Sequence, residues 1–543
     1  MLSCNHLPYF YLINKIIKMS DRRIFIKQVG ASAIGMGLLQ SLPSFATNNF
    51  LDDTFVLPRS TPEEQGISSV DISNFLAAIK ESKQEFHSLM ILRHGHVITE
   101  GWWSPYSSEH RQQLYSLSKS FTSTAIGFAV TEGLLSVEDP VIKFYPDLLP
   151  DKISDNLAAL KVKHLLSMSV GHEKDSIRII EVSAPGVLWE KTFLSLPVVF
   201  APGSQFLYNS GASYMLSSIV TKVTGKSAHE YLKTRLYQPL DIKGATWVEN
   251  FEGVNIGASH LRIRTEDIAK FGQLYLQKGK WNGKQIIPEK WVVAASSKQI
   301  ENGKNDSSWG YGYGYQFWLN PPGGFRADGA FGQFSMVLPE LDAVVAITSE
   351  SIDTKTTMQI VWDNLLPKMK ASSLPKNSGG HQQLLQELKG LKYDPPMLAT
   401  SSALSDKING KEFLLDKNVF NAKSVTFNFV DGACIFVLKE EGKPDILINN
   451  GINKWIRKGN LKPAPHSLFS LRRIDFDSIV AATATWKDEH TLLLSWRFIE
   501  TVHGDSLTCI FDGDNVTIKL LFSVNRLQNK PDDRADILGK FTA

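Results

Sequence analysis

The run Thr124-Ala125-Ile126-Gly127-Phe128-Ala129-Val130 is apolar on nearly every side of a helix and continues to a stop at Gly133. A helix that is apolar all round has no face to give to water and has to be buried. Any fold of this chain must therefore wrap this helix, and the helix's first turn lies at the floor of what surrounds it. That turn reads Tyr115-Ser116-Leu117-Ser118-Lys119-Ser120-Phe121-Thr122. Side chains three residues apart share a helix face, so the Lys119 amine reaches the Ser116 hydroxyl. An uncharged amine beside a hydroxyl is a nucleophile with its own base. The same Ser-x-x-Lys spacing recurs at Ser373-Leu374-Pro375-Lys376, where the proline and the following Gly379-Gly380 make a loop without fixed geometry. Spacing alone leaves coincidence and catalysis both open.

A chain of 543 residues exceeds one ordinary core, so two or three domains are expected. With 43% hydrophobic and 21% charged residues the composition is that of a globular protein. The formal net charge of +3 is concentrated at the start: Lys15, Lys18, Arg22, Arg23 and Lys27 stand against Asp21 within residues 1–46. The rest is nearly neutral, which gives no footprint for nucleic acid or an anionic membrane. Asp21-Arg22-Arg23-Ile24-Phe25-Ile26-Lys27 resembles a twin-arginine export signal. A Gly/Ala-rich run from Val29 to Leu42 and the small-residue spacing of Ser44-Phe45-Ala46 follow it. Residues 1–46 are read as this signal rather than as an amphipathic helix, with Met19 a possible true start and the bacterial periplasm as destination. The apolar run is too short for a membrane span, and no integral span is expected in the mature chain.

Of three cysteines, Cys4 falls in this leader, and Cys434 and Cys509 lie in strand-like sequence, where buried free thiols are expected. Neither HExxH nor paired CxxC spacing occurs, so neither a metal nor another cofactor is implied.

Val70 to Lys80 is helical in period. His87 to Arg93 and Val97 to Trp103 read as strands around a His94-Gly95-His96 turn. A helical insertion is expected from about 120 to 240, including Val162 to Met168 and Ala212 to Val223. Strand-like sequence returns at Trp309 to Trp318, Phe334 to Leu338 and Ala343 to Thr348, before a helix at Thr354 to Leu366. Residues 371–410 read as a linker with one short helix, Gln382 to Leu391. From 411 to 543 short alternating strands predict an antiparallel barrel or sandwich of about eight strands, without a catalytic constellation.

Two more segments change the weight of Ser116. Tyr208-Asn209-Ser210 follows a Pro202-Gly203 turn, and Arg326-Ala327-Asp328-Gly329-Ala330 leads into an apolar strand. In this order and spacing the chain resembles the penicillin-recognising serine hydrolases. These include class C β-lactamases, DD-peptidases, related esterases and 6-aminohexanoate-dimer hydrolases. Thr61 to Gly66, Gly133 to Pro140 and His164 to Met168 also look like segments of that family. The resemblance covers about 60 to 366 and implies an α/β (α+β) fold within 47–370, an antiparallel sheet flanked by helices with a helical subdomain.

It also implies roles. Ser116 matches the nucleophile, Lys119 its base partner and Tyr208 a second acid/base. The backbone amides of Ser116 and Ala330 match the oxyanion hole, and Ser210, Asp328 and Gly329 match substrate-binding positions. Ala327-Asp328-Gly329 stands where many members have Lys-Thr-Gly, and Ser210 where β-lactamases more often have asparagine. The expected substrate is therefore a small ester or amide rather than a β-lactam. A β-lactamase or DD-peptidase proper is the near alternative, and a non-catalytic peptidoglycan or small-ligand binder on the same fold is the distant one. His172 and His260 are expected to be structural. The aromatics between Trp309 and Trp318 either line the pocket or pack the core.

Overall fold

The computed structural model describes residues 57–303, 308–457, 459–462 and 478–541; the export signal read in residues 1–46 lies outside the described residues. Helix α1 (Ser69–Ser82) starts where the Ser68 side chain accepts the Asp71 N–H, meeting one of the unpaired donors of a first turn. The hairpin of β1 (Phe86–Arg93) and β2 (His96–Trp102) follows. Then come α2 (Ser118–Thr131), α3 (Ser210–Thr224) and α4 (Thr265–Leu276). The chain next adds β3 (Trp318–Leu319), β4 (Phe325–Gly329), β5 (Gln333–Leu338) and β6 (Ala343–Ser349), and then α5 (Thr354–Asn364) and α6 (Ser378–Lys389).

The six strands form one antiparallel sheet in the order β2-β1-β6-β5-β4-β3. Because successive strand residues face opposite ways, β1 and β6 serve two cores. Leu89, Ile91, Val345 and Ile347 pack with residues of α1 and α5 on one face. Met90, Leu92, Val344 and Ala346 pack on the other with Phe121 of α2 and Ile268 and Phe271 of α4. The apolar helix anticipated from the sequence is α2, buried from Ser118 to Ala129.

One expectation is corrected here. Of the expected Trp309 to Trp318 strand only Trp318 lies in a strand, opening β3, while Tyr313 makes isolated bridges. Gly312 and Gln316 take φ of 113° and 65°, values that cannot continue a ladder. Within the stretch read as a linker with one short helix, Leu384 of α6 is buried with α1 and α5 residues, and Ala399 bridges Trp486.

The strands of the second half that close on one another are β7 (Glu412–Leu415), β8 (Ala422–Val430), β9 (Ala433–Glu440), β10 (Ile446–Ile452), β11 (Ser478–Asp488), β12 (Thr491–Phe498), β13 (Gly504–Asp512), β14 (Asn515–Phe522) and β15 (Ile537–Phe541). Each pairs with the next, and β15 pairs back with β7, so these strands close a barrel of nine rather than about eight. An odd count cannot alternate direction all the way round. The one parallel pairing falls between β10 and β11, at Gly451↔Thr483 and Ile452↔Ala484. Closure also leaves no edge strand unpaired. Phe427, Phe436, Trp486, Trp496 and Phe511 fill the interior together with Cys434 and Cys509, which are buried free thiols.

The barrel sits against the sheet-and-helix half through buried polar contacts. Arg497 pairs with Glu85, and its guanidinium lies 4.8 Å from the Tyr393 ring and 5.8 Å from that of Trp455. Arg111 donates to Glu500 at 2.7 Å, and Gln112 donates to the Ile499 carbonyl at 2.5 Å. Among the described residues no helix is long and apolar enough to cross a membrane.

Candidate active site

Ser116 lies in a tight turn, Tyr115–Leu117, that runs directly into α2. The Ser118 hydroxyl donates to the Tyr115 carbonyl at 2.6 Å and accepts the Leu261 N–H at 3.2 Å, pinning the turn from both sides. One helical turn on, the Lys119 amine reaches the Ser116 hydroxyl at 3.1 Å and donates to the Ala258 carbonyl at 2.8 Å. Lys119 is 2% exposed. Burial pulls its pKa from 10.5 down to about 7, against an opposing pull from the Asp175 charge. Its place in the first turn of α2 acts the same way, because the positive end of a helix dipole disfavours an ammonium.

Tyr208 stands just before α3. Asn209 caps that helix, its side-chain oxygen accepting the Gly211 and Ala212 N–H groups. The Asn209 amide group is held in turn by His172 at 3.1 Å, so His172 supports a helix start and does not face the cleft. Tyr208 stacks on Trp318 with centroids 5.4 Å apart and lies 5.0 Å below the Lys119 amine. Burial pushes its phenol well above the usual range, with a hydrogen bond to Ser116 pulling the other way. Ser116, Lys119 and Tyr208 thus come together at one place, with Lys119 hydrogen-bonded to Ser116 and lying over the Tyr208 ring.

The third segment arrives on β4. Gly329 has to be glycine: a Cβ there would lie 2.1 Å from the Leu114 carbonyl oxygen and 3.2 Å from the Leu117 amide nitrogen. This approach lays the Gly329-Ala330 backbone beside the Ser116 turn. Tyr115 and Phe331, which flank the two expected oxyanion donors, both take left-handed φ, 48° and 64°. Non-glycine residues rarely do so, at a cost of about 1–3 kcal/mol each, and the surroundings must enforce it.

Asp328 is not a free negative charge. Arg326, fully buried, donates to it at 2.9 Å and the Trp309 indole at 3.0 Å. Burial raises the Asp328 carboxyl, and Arg326 opposes that rise. Arg326 is itself fixed by Asn320 at 3.0 Å and the Ser308 carbonyl at 3.1 Å.

These residues open on a cleft of about 370 Å³ lined by Ser116, Tyr208, Asp328, Gly329 and Ala330. Trp309 and Trp318 line it as well, whereas Tyr313 and Phe317 between them are buried in the core, so the aromatic run is divided between the two uses. Ser210 is absent from the lining, and its amide donates to Asp175 at 2.8 Å. Sequence reasoning missed Asp175, Ser351, Thr354 and Gln528. Gln528 comes from the barrel half and carries no motif that would have marked it. Among the described residues no group of His, Cys, Asp or Glu side chains is arranged to hold a metal ion.

The profile of the Beta-lactamase family matches residues 83–365, a span that contains Ser116, Lys119, Tyr208 and Asp328. The chain belongs to this family. It is a hydrolase of the β-lactamase type, as the resemblance implied. The 6-aminohexanoate-dimer hydrolase of Paenarthrobacter ureafaciens is 23% identical over 320 residues, 55% of this chain and 81% of that protein. A β-lactamase of Escherichia coli is 25% identical over 144 residues, 26% of this chain and 36% of that protein. The octameric penicillin-binding protein homologue from Pyrococcus abyssi is 17% identical, with a TM-score of 0.44 over 86% of this chain and 99% of that one.

Proposed function

We propose that this β-lactamase-family protein is a serine hydrolase that cleaves a small ester or amide through an acyl-enzyme on Ser116. The observation that carries this reading is the Lys119 amine, 3.1 Å from the Ser116 hydroxyl and pulled by burial to a pKa of about 7. An amine at that value is about half free base at neutral pH, and the free form accepts the hydroxyl proton as Ser116 Oγ attacks the carbonyl carbon. The Ser116 and Ala330 amides receive the developing oxyanion, each such donor typically contributing about 3 kcal/mol. The C–O or C–N bond then breaks, and the proton held on Lys119 passes to the leaving group by way of Tyr208, a phenol that stays protonated. Water enters, gives its proton to the same pair and attacks the acyl ester, and Ser116 is regenerated.

The paired state of Asp328 supports the substrate class. Where many relatives have a lysine able to hold a carboxylate, this cleft has a carboxyl group already engaged by Arg326 and Trp309. A substrate with its own carboxylate gains nothing there, which favours neutral esters and amides over β-lactams. Export through the twin-arginine signal of residues 1–46 to the periplasm is part of the same proposal.

Incubation with a fluorophosphonate or a p-nitrophenyl ester followed by intact-mass measurement tests the chemistry. One adduct per chain is expected, absent from Ser116→Ala; an adduct that survives this substitution would overturn the reading. Nitrocefin, D-Ala peptides, short amides and esters then rank the substrates, with the esters and amides expected to lead. Replacing Arg22 and Arg23 by lysine is expected to hold the protein in the cytoplasm, and efficient export of that variant would remove the signal.

A further inference from the structure

The barrel half sends one side chain to the turn that carries the nucleophile. His503, at the entry to β13, is 5% exposed and lies between two partners. Its Nδ1 is 2.7 Å from Glu350 Oε1 and its Nε2 is 2.5 Å from the Tyr115 hydroxyl. A carboxylate only accepts, so Nδ1 donates to Glu350, and in that tautomer Nε2 accepts the Tyr115 O–H. Glu350, 1% exposed, also accepts the Ser523 hydroxyl, which in turn accepts the Gly504 N–H at 2.9 Å. The chain of bonds therefore starts in β13 and α7 (Ser523–Leu527) of the barrel half, passes through the residue after β6, and ends on the residue before Ser116. Burial keeps the Tyr115 phenol protonated and able to donate.

His503 touches the other strained residue too. Its ring meets Phe331 edge-on with centroids 4.7 Å apart, and Tyr115 meets Phe331 at 5.2 Å. Tyr115 adjoins the Ser116 amide and Phe331 adjoins Ala330, and both have left-handed φ. Nothing in the local sequence of either residue favours that conformation. The ring that packs against both comes from a distant part of the chain, 388 residues from Tyr115.

We propose that His503 is a positioning residue for the hydrolase site: held by Glu350, it clamps Tyr115 and Phe331 and so fixes the Ser116 and Ala330 amides. The barrel is then part of the active site's framework. His503 does not touch the reacting atoms, and no proton need leave the network during turnover.

This inference rests on the serine-hydrolase reading, and one experiment separates the two. Full-length wild type, Tyr115→Phe, His503→Asn, His503→Gln and the Tyr115→Phe/His503→Asn double variant are labelled with a fluorophosphonate, assayed on p-nitrophenyl esters and melted. Glutamine reaches the Nε2 position and can accept from Tyr115, whereas asparagine reaches only the Nδ1 position. Tyr115→Phe and His503→Asn are each expected to lower kcat about 10- to 100-fold with KM within about twofold, the scale of a misplaced reactive group. His503→Gln should recover much of that loss, and the double variant should be no worse than either single, because both cut the same link. Wild-type kcat in Tyr115→Phe, or equal losses in the glutamine and asparagine variants that follow their melting temperatures, would overturn the clamp and leave the serine chemistry standing. No adduct on wild type would overturn both.

Discussion

Two buried cations receive opposite treatment in this molecule. Lys119, at the floor of the cleft, has a hydroxyl and a carbonyl as partners, and the Asp175 charge opposes its burial without outweighing it. Burial therefore dominates, and the ammonium is destabilised. Arg497, at the seam between barrel and sheet, has the Glu85 carboxylate beside it and aromatic rings around it. Burial would lower its pKa too, but Glu85 outweighs this and raises it, and Glu85 is held well below the usual carboxylate range despite its own burial. A similar depth in the protein thus yields a proton acceptor in one place and a fixed charge in the other. The difference lies in the carboxylate in contact and in the side chain itself, since a guanidinium keeps its proton where a buried ammonium can lose it, so depth alone predicts neither role.

The comparison is easiest to break at Lys119. Lys119→Met is expected to cost about a thousandfold or more in kcat, the usual penalty for losing half of a nucleophile–base pair. Its unfolding free energy should hold or rise, because a buried cation without a charged partner has been replaced by an apolar chain of similar length. A large loss of stability would mean that the lysine is structural. Glu85→Ala should do the reverse to the seam. Leaving Arg497 buried and unpaired is expected to cost about 3–5 kcal/mol in urea unfolding. A milder test is pH. With Lys119 titrating near 7, kcat/KM should fall about tenfold per pH unit below that value and level off above it, since only the free amine accepts a proton. A profile flat from pH 5 to 9 would assign the base elsewhere. Smallest is Arg497→Lys, which keeps the charge but loses the planar stack on Tyr393 and Trp455, expected to cost about 1–2 kcal/mol.

How legible the molecule was follows the distance over which each feature is encoded. Ser116 and Lys119 are three residues apart on one helix, so their meeting is written in a single turn, and the apolar run behind them announces its own burial. The sheet strands read clearly because alternate residues of β1 and β6 serve two cores. Trp309 to Trp318 misled because alternation of glycine and aromatic residues looks extended, whereas the φ of Gly312 and Gln316 is imposed by packing. The parallel seam of the barrel was hidden, since strand patterns carry neither count nor direction. His503 was hidden most completely: a lone histidine among strand residues has no period or motif, and its partner Tyr115 is in another half of the chain.

The closure of the barrel also has a consequence in time. Strand β7 begins at Glu412, but it is sealed only by β15, where Phe413 lies opposite Phe541. A ribosome delivers Ser116, Lys119 and Tyr208 well before that strand exists. The ring that holds Tyr115 waits for β15, made long after Ser116, to complete its scaffold. Synthesis thus orders assembly, and a chain interrupted within the barrel would carry the nucleophile and its base on a turn pinned by Ser118 and Leu261 but without the His503 contact.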